Sequence, residues 1–399
     1  PACPTRSSGL SPRQRIILLR EIKEIGSLGE AMPDGLAQDY ADSARASCVR
    51  DSMCITACPV KIDTGLLMKE LDRAESSLIG RGVAGWMSSH FASSSTLARR
   101  ALSMAGAVSG GNAARRGGLR AGSAILHALA PNLVPRLNPK TPLPRPAPPI
   151  PAPRGTGSRG VVYFPSCVSR IFGALPGEGE LSTMEATLRC LEAAGYRVTI
   201  PEQVDSLCCG LAFSSKSQQE AAESSMSATL KVLAALTRGG EIPVVTDASP
   251  CTLEFAEQAP ADIRVLDFVQ FWAREVLPRD DAPRGVLPGR AILHPTCSLT
   301  KLGALDDLKA VAAAHAAESM VPLRASCCGF AGNQGFVRPE ITEGATRAEA
   351  EDVRTLAGES RGATAYSTCR TCEIGMSRAT DLGYASAAHL VYRALGLKA

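Results

Sequence analysis

Three cysteine-bearing stretches in the second half of the chain recur in the same order, and this repetition limits the fold more than any other feature. FPSC at 164–167 answers to HPTC at 294–297, CCGLAF at 208–213 to CCGFAG at 327–332, and TDASPCT at 246–252 to YSTCRTCE at 366–373. Two like units of about 115 residues therefore follow one another, roughly 160–280 and 285–399. Within the first unit, short apolar runs alternate with helical stretches. VVYFPSC, YRVTIP and IPVVTDASPC read as strands, whereas STMEATLRCLEAAGY and SQQEAAESSMSATLKVLAAL read as helices. Strand–helix alternation of this kind predicts a parallel α/β sheet. The carboxyl ends of such strands converge at one edge, where sites are built.

The cysteines lie on those ends. The chain has 14, grouped as CC, C-x-x-C and C-P rather than spread as singles. A disulfide scaffold would be shorter and secreted, so clustered thiols in a chain of 399 residues read as metal or iron–sulfur ligands in a reducing cytoplasm. The later unit offers Cys297, Cys327, Cys328, Cys369 and Cys372. Adjacent cysteines do not readily pair with each other, so the CC dipeptide reads as two ligands splayed around one site, with Gly329 allowing close backbone approach. The earlier unit keeps Cys167, Cys208, Cys209 and Cys251 but has Ala248 in the place of Cys369, so the two sites need not hold the same species. The competing reading is a zinc staple or a buried thiol cluster tying three loops together. Cys190, flanked by Leu188 and Leu191 on an amphipathic stretch, reads as a core residue. His294 stands three residues before Cys297; it could hydrogen-bond a cluster sulfur, but a capping or core role is the first expectation.

The amino-terminal part carries a second pattern. In SCVRDSMCITACPV, Cys48, Asp51, Cys54 and Cys58 follow C-x2-D-x2-C-x3-C-P, the ferredoxin spacing with Asp51 where the second cysteine belongs. The closing cysteine of such a run ligates the other cluster of a two-cluster module. Cys48 and Cys54 would then share a cluster with Cys3, itself followed by Pro, and Cys58 would serve a cluster whose remaining ligands lie upstream. On this reading the sequence is a fragment cut inside an earlier run. Asp51 leaves three readings open: a carboxylate ligand to the fourth iron, an open corner giving a 3Fe–4S cluster or a labile iron, or a plain loop residue. Zinc at these positions would leave the two Cys-Pro pairs unexplained. SPRQRIILLREI, with Pro just after Ser, predicts a helix between Cys3 and Cys48.

Between the two patterns lies a stretch without acid. From Glu75 to Glu178 no Asp or Glu intervenes, while twelve Lys or Arg do. Residues 79–138 read as helical or irregular, and NPKTPLPRPAPPIPAPRG at 138–155 as a polyproline spacer and boundary. The basic character suits an anionic membrane surface or an acidic partner, whereas the scarcity of aromatics argues against nucleic acid. GRGVAG at 80–85 and GTGSRG at 155–160 match G-x-G-x-x-G, but neither follows a strand and opens a helix, so both read as loops. No apolar run approaches the roughly 18 residues that span a bilayer.

These residues together resemble a known group. The two units look like the cysteine-rich CCG domains of heterodisulfide reductase B subunits, of the glycerol-3-phosphate dehydrogenase C subunit and of the glycolate oxidase iron–sulfur subunit. PACPTRSSGLSPRQRIILLREI with CVRDSMCITACPVKIDTG is more similar to the carboxy-terminal iron–sulfur region of FAD-linked D-lactate dehydrogenases, where an Asp-for-Cys substitution is also familiar. The resemblance covers all but the basic stretch. It implies an α/β architecture: a helical ferredoxin-like module at 1–78, a basic segment and linker at 79–158, and two tandem CCG units at 159–282 and 283–399. It further implies 4Fe–4S clusters, FAD in an upstream domain or subunit, and a quinone or cytochrome acceptor. The expected location is the cytoplasm, with peripheral contact at the inner face of the membrane. In the heterodisulfide reductase relatives the five-cysteine set holds a non-cubane 4Fe–4S cluster, a role transferable here to Cys297, Cys327, Cys328, Cys369 and Cys372. A separate iron–sulfur subunit of the glycolate oxidase or glycerol-3-phosphate dehydrogenase kind is the alternative within redox chemistry.

Overall fold

The computed structural model describes residues 10–109, 144–175, 181–332, 334–360 and 362–398. Cys3 and residues 110–143 of the basic stretch lie outside these residues. Helix α1 (Pro12–Leu28) starts where the Ser-Pro signal places it, with Ser11 as the cap accepting from the Gln14 amide and Gly29 closing it in the left-handed conformation. Arg15, buried in its first turn, donates Nε to the Ala44 carbonyl at 2.7 Å and a guanidinium nitrogen to Ser47 Oγ at 3.2 Å. The helix thus clamps the segment that leads into Cys48. Helix α2 (Thr64–Ala74) follows the cysteine run, capped by Asp63.

Helices α3 (Leu78–Ser89) and α4 (Phe91–Ser109) come next. GRGVAG, expected as a loop, lies inside α3. Ser77 caps that helix by accepting from the Gly80 amide at 3.0 Å, and Ser88 Oγ bonds the Ala221 carbonyl at 3.1 Å. Capping and tertiary packing offset a cost of about 1 kcal/mol for each helical glycine.

The rest of the chain forms two parallel four-stranded sheets of identical topology. Strands β1 (Arg159–Phe164), β2 (Tyr196–Thr199), β3 (Val244–Thr246) and β4 (Val265–Asp267) lie in the order β2-β1-β3-β4; β5 (Leu287–His294), β6 (Ala316–Met320), β7 (Thr364–Ser367) and β8 (Tyr384–Ser386) lie in the order β6-β5-β7-β8. Phe164 pairs with Thr246 and His294 with Ser367, so the central strands of each sheet end level with one another. Val161 to Phe164 and Ala291 to His294 are all buried, as strands covered on both faces require. Each large apolar side chain so placed contributes about 1.5–3 kcal/mol. The anticipated helices are Thr183–Ala193 (α5) and Gln219–Thr237 (α6), but IPVVTDASPC is a strand only over Val244–Thr246; Ser249–Gln258 is already helix α7.

The two units share one core. Helix α5 packs on the last helix of the second unit, α8 (Ala387–Ala394), and the Cys190 thiol donates to the Ala388 carbonyl at 3.5 Å. Trp272, fully buried, donates its indole N–H to His315 Nε2 at 2.9 Å across the two units. Ser249 donates its amide to the Thr368 carbonyl at 3.0 Å and its hydroxyl to Asp267 at 2.9 Å. The described part of the proline-rich run, residues 144–158, is laid against the first unit: Ala147 donates to Ile171 and Val198 to Arg154, both at 3.0 Å. Among the described residues no helix is long and apolar enough to cross a membrane.

Candidate metal centre

Cys167, Cys251, Cys297, Cys369 and Cys372 sit just past a strand's carboxyl end, at the cap or in the first turn of the helix that follows, whereas the CC pairs lie in loops beyond their strands. Cys167 and Cys297 open the short helices Cys167–Ile171 and Cys297–Lys301, behind the caps Ser166 and Thr296. The CC pairs come after the second strand of each sheet. The glycine behind each pair is left-handed, φ +86° at Gly210 and +68° at Gly329, and its amide donates back to Cys208 Sγ at 3.4 Å and Cys327 Sγ at 3.3 Å. A side chain at Gly210 would press on the Ala222 carbonyl at 2.6 Å, so the turn is closed to larger residues. Cys369 caps the helix Arg370–Thr380, with Cys372 in its first turn. Ala248 holds the same capping position on α7, with Cys251 matching Cys372. These positions flank the point where strand order reverses in each sheet, the usual place for a ligand in open α/β sheets.

In the second unit the donors fall into two groups. His294, Cys328 and Cys372 each bring one donor atom, all within 4.8 Å of one another and all buried; Asp51, Cys297 and Cys327 lie equally close together, with Cys327 buried and the other two half-buried. The two adjacent cysteines therefore face different ways. Cys328 Sγ lies 3.2 Å from Cys372 Sγ, and Cys369 Sγ lies 3.2 Å from Thr371 Oγ1. Contact with the Cys372 thiol, joined by His294, pulls the Cys328 pKa down to about 5 against burial. Cys372 and the Thr371 hydroxyl bring Cys369 to about 7. Burial depresses the His294 imidazole, but the Glu349 carboxylate and Cys328 outweigh it and hold its pKa at about 10. Cys328 and Cys369 are thus biased towards thiolate, whereas Cys327 is pushed well up by Cys297 and burial, and Cys372 by Cys328, Cys369 and burial.

In the first unit all four thiols are pushed up. Cys167 meets Cys208, Cys208 meets Cys209, and Cys209 meets Cys251. The contact with Cys208 and then burial push the Cys167 thiol well up; Cys208 reaches about 12 through Cys209 and burial, although Cys167 pulls the other way. Phe164 stands where the second unit has His294, so that position offers no imidazole to the thiols. Ala84 and Phe91, from α3 and α4, cover Cys208 together with Phe213.

The amino-terminal cysteines are placed differently. Cys48 is buried and Cys54 and Cys58 are half-buried; Thr64 Oγ1 donates to Cys54 Sγ at 3.0 Å. Among the described residues none of the three belongs to a close group of donors, and Asp51 stands with Cys297 and Cys327 instead. Val49 and Met53 pack around Cys327 and Cys297 beside it. Asp51 Oδ1 accepts the Met53 amide at 3.2 Å, while Oδ2 is buried without a hydrogen-bond partner. Burial raises this carboxyl's pKa, partly offset by Cys327 and the Met53 amide.

Sequence reasoning gave His294 too small a part. Its signal was the HPTC/FPSC difference between otherwise matching stretches, but its partner Glu349 is 55 residues away on the helix Pro339–Gly358, a separation no local motif bridges.

A family model described as the cysteine-rich domain CCG matches residues 161–256 and again residues 291–377. Each unit is thus similar to the CCG domain, and together they make a tandem CCG repeat. Each match begins in the central strand of one sheet and extends through its four or five thiols, and CCG domains are typical of oxidoreductase iron–sulfur subunits. No curated protein matches the chain. The donor set of the second CCG domain fits a metal or iron–sulfur centre on its own chemistry. Soft thiolates converge with one imidazole, and two buried polar atoms, His294 Nε2 and Asp51 Oδ2, have no hydrogen-bond partner.

Proposed function

We propose that the chain is the electron-transfer part of a flavin-linked D-2-hydroxyacid dehydrogenase, with D-lactate as the substrate of a flavin domain or subunit and a quinone or cytochrome as acceptor. An iron–sulfur cluster bound here supplies one-electron chemistry. The chain's own residues hold and insulate it. Cys297, Cys327, Cys328, Cys369 and Cys372 provide thiolates in the second CCG domain; Cys167, Cys208, Cys209 and Cys251 do so in the first. Cys48, Cys54 and Cys58, with Cys3, serve the ferredoxin-like module.

One observation carries the reading. The loop that bears the ferredoxin-like run is docked on the thiols of the second CCG domain, with Val49, Asp51 and Met53 against Cys297 and Cys327. Arg338, at the start of the helix Pro339–Gly358, adds a hydrogen bond to the Asp42 carbonyl at 3.3 Å. A protein that only needed a zinc staple has no use for seating one cysteine motif on another. The exposed Leu78, Ile79, Val83 and Trp86 of α3, inside the acid-free stretch, support a peripheral contact with an anionic membrane surface.

The test is to add D-lactate, glycolate or glycerol 3-phosphate, without oxygen, to the native protein with its flavin partner, and to follow electron paramagnetic resonance. The reading expects D-lactate alone to reduce the centres. Reduction by glycolate or glycerol 3-phosphate instead reassigns the substrate, and a colourless zinc protein overturns the redox role.

A further inference from the structure

We propose that His294 is a metal ligand of the second CCG domain, its Nε2 completing a donor set with Cys328 and Cys372 while Glu349 fixes the ring from behind. The proposal rests on the reading of these thiols as an iron–sulfur site, and it deepens that reading by adding a nitrogen to an all-sulfur set.

The imidazole is oriented as a ligand is. His294 closes β5, and its carbonyl accepts from Ser367 Oγ at 3.2 Å, which pins the backbone. Nδ1 lies 2.7 Å from Glu349 Oε1, and the other oxygen of that carboxylate accepts the Ser326 amide at 3.2 Å. Both side chains are buried, so the carboxylate holds the proton on Nδ1 and leaves Nε2 facing the sulfurs of Cys328 and Cys372. Nε2 is itself buried and has no hydrogen-bond partner. A carboxylate on one ring nitrogen and a vacant site at the other is the arrangement that orients metal-bound histidines. On ligation the Nε2 lone pair forms the bond to iron, and any proton it carries in the metal-free chain passes to solvent.

The sister domain provides the contrast. Phe164 occupies the matching strand end and cannot donate, and Ala248 removes a thiol besides. Nitrogen in place of thiolate also removes negative charge from a cluster, which raises its reduction potential. The second domain therefore carries the more oxidising centre than an all-cysteine version would.

The experiment uses the full chain, purified without oxygen from cells fed 15N-histidine or unlabelled histidine, and pulsed electron paramagnetic resonance on the centre that Cys372→Ser abolishes. The expected result is one strongly coupled nitrogen whose frequencies change with the isotope. It should vanish in His294→Phe, while His294→Cys retains the centre without nitrogen coupling and at a lower potential. Only weak nitrogen couplings in the labelled wild type would mean that His294 merely hydrogen-bonds a sulfur, and would overturn the proposal even if a variant fails to fold. Strong coupling that persists in His294→Phe would overturn it too. If Cys372→Ser abolishes no iron signal at all, the reading of the site itself has failed, and the ligand assignment falls with it.

Discussion

Replacing Gly335 by Ala tests how tightly the ligand loop of the second CCG domain is held. An added Cβ would lie 2.3 Å from Cδ2 and 2.5 Å from Cγ of Phe330, well inside contact distance. Phe330 cannot step aside easily, being fully buried and packed edge-on against Phe336 at 4.8 Å between ring centroids. Overpacking of this kind costs roughly 1–3 kcal/mol. Gly335 lies in the short helix Gln334–Val337 without a positive φ, so Ala returns about 0.5–1 kcal/mol of backbone entropy. The net expectation is a loss of about 1–2 kcal/mol, or about 2–8 °C in melting temperature for a domain pair of this size. Because Phe330 follows Cys328 by two residues, the same change should lower iron retention. The Gly375→Ala variant is the control, since its Cβ would meet Phe330 at 3.1 Å, a few tenths of an ångström too close; it should shift melting by less than half as much. Thermal melts and iron assays on the single variants, and on Gly335→Ala combined with Phe330→Leu, give the coupling. If Gly335→Ala melts and binds iron like the parent, or if Phe330→Leu brings no rescue, the wedge of Phe330 behind the ligand loop is refuted.

Other consequences are read from the same structure. His389 is buried, its Nδ1 2.7 Å from Ser386 Oγ and its Nε2 3.0 Å from the Leu181 carbonyl, and burial lowers its pKa to about 3. The unfolded chain binds this proton near 6.5, so stability present above pH 6.5 should fall by about 1.4 kcal/mol per unit as pH drops towards 3; denaturant titrations of His389→Gln should show a flatter slope over that window. Cys190→Ala should leave iron content unchanged and cost about 1 kcal/mol, because its thiol faces the Ala388 carbonyl in the core; lost iron would make it a ligand. Asp51→Ala should alter the resonance line shape of the centre that Cys372→Ser removes, given its place beside Cys297 and Cys327; an effect confined to a centre lost with Cys48→Ser would return Asp51 to the ferredoxin-like run.

The fold was legible because its signals are local and doubled. FPSC and HPTC each mark a buried strand end followed by a capped helix, and the glycine after each CC pair marks a left-handed turn. Cys190 was legible as core from its helical neighbours. What sequence could not reach depended on distant partners. The role of His294 is set by Glu349 on another helix, and the seat of Asp51 by a contact between modules almost 250 residues apart that no periodicity records. The glycines of GRGVAG misled for a related reason, since the packing that keeps them helical comes from Ala221 and Ser225 in the first CCG domain.

The central claim is that these thiols bind iron with inorganic sulfide. Its most direct test is the content of iron, acid-labile sulfide and zinc in the full chain purified without oxygen. The account predicts iron and sulfide in equal amounts, both reduced by Cys328→Ser or Cys372→Ser. Protein that lacks both and carries stoichiometric zinc would contradict it.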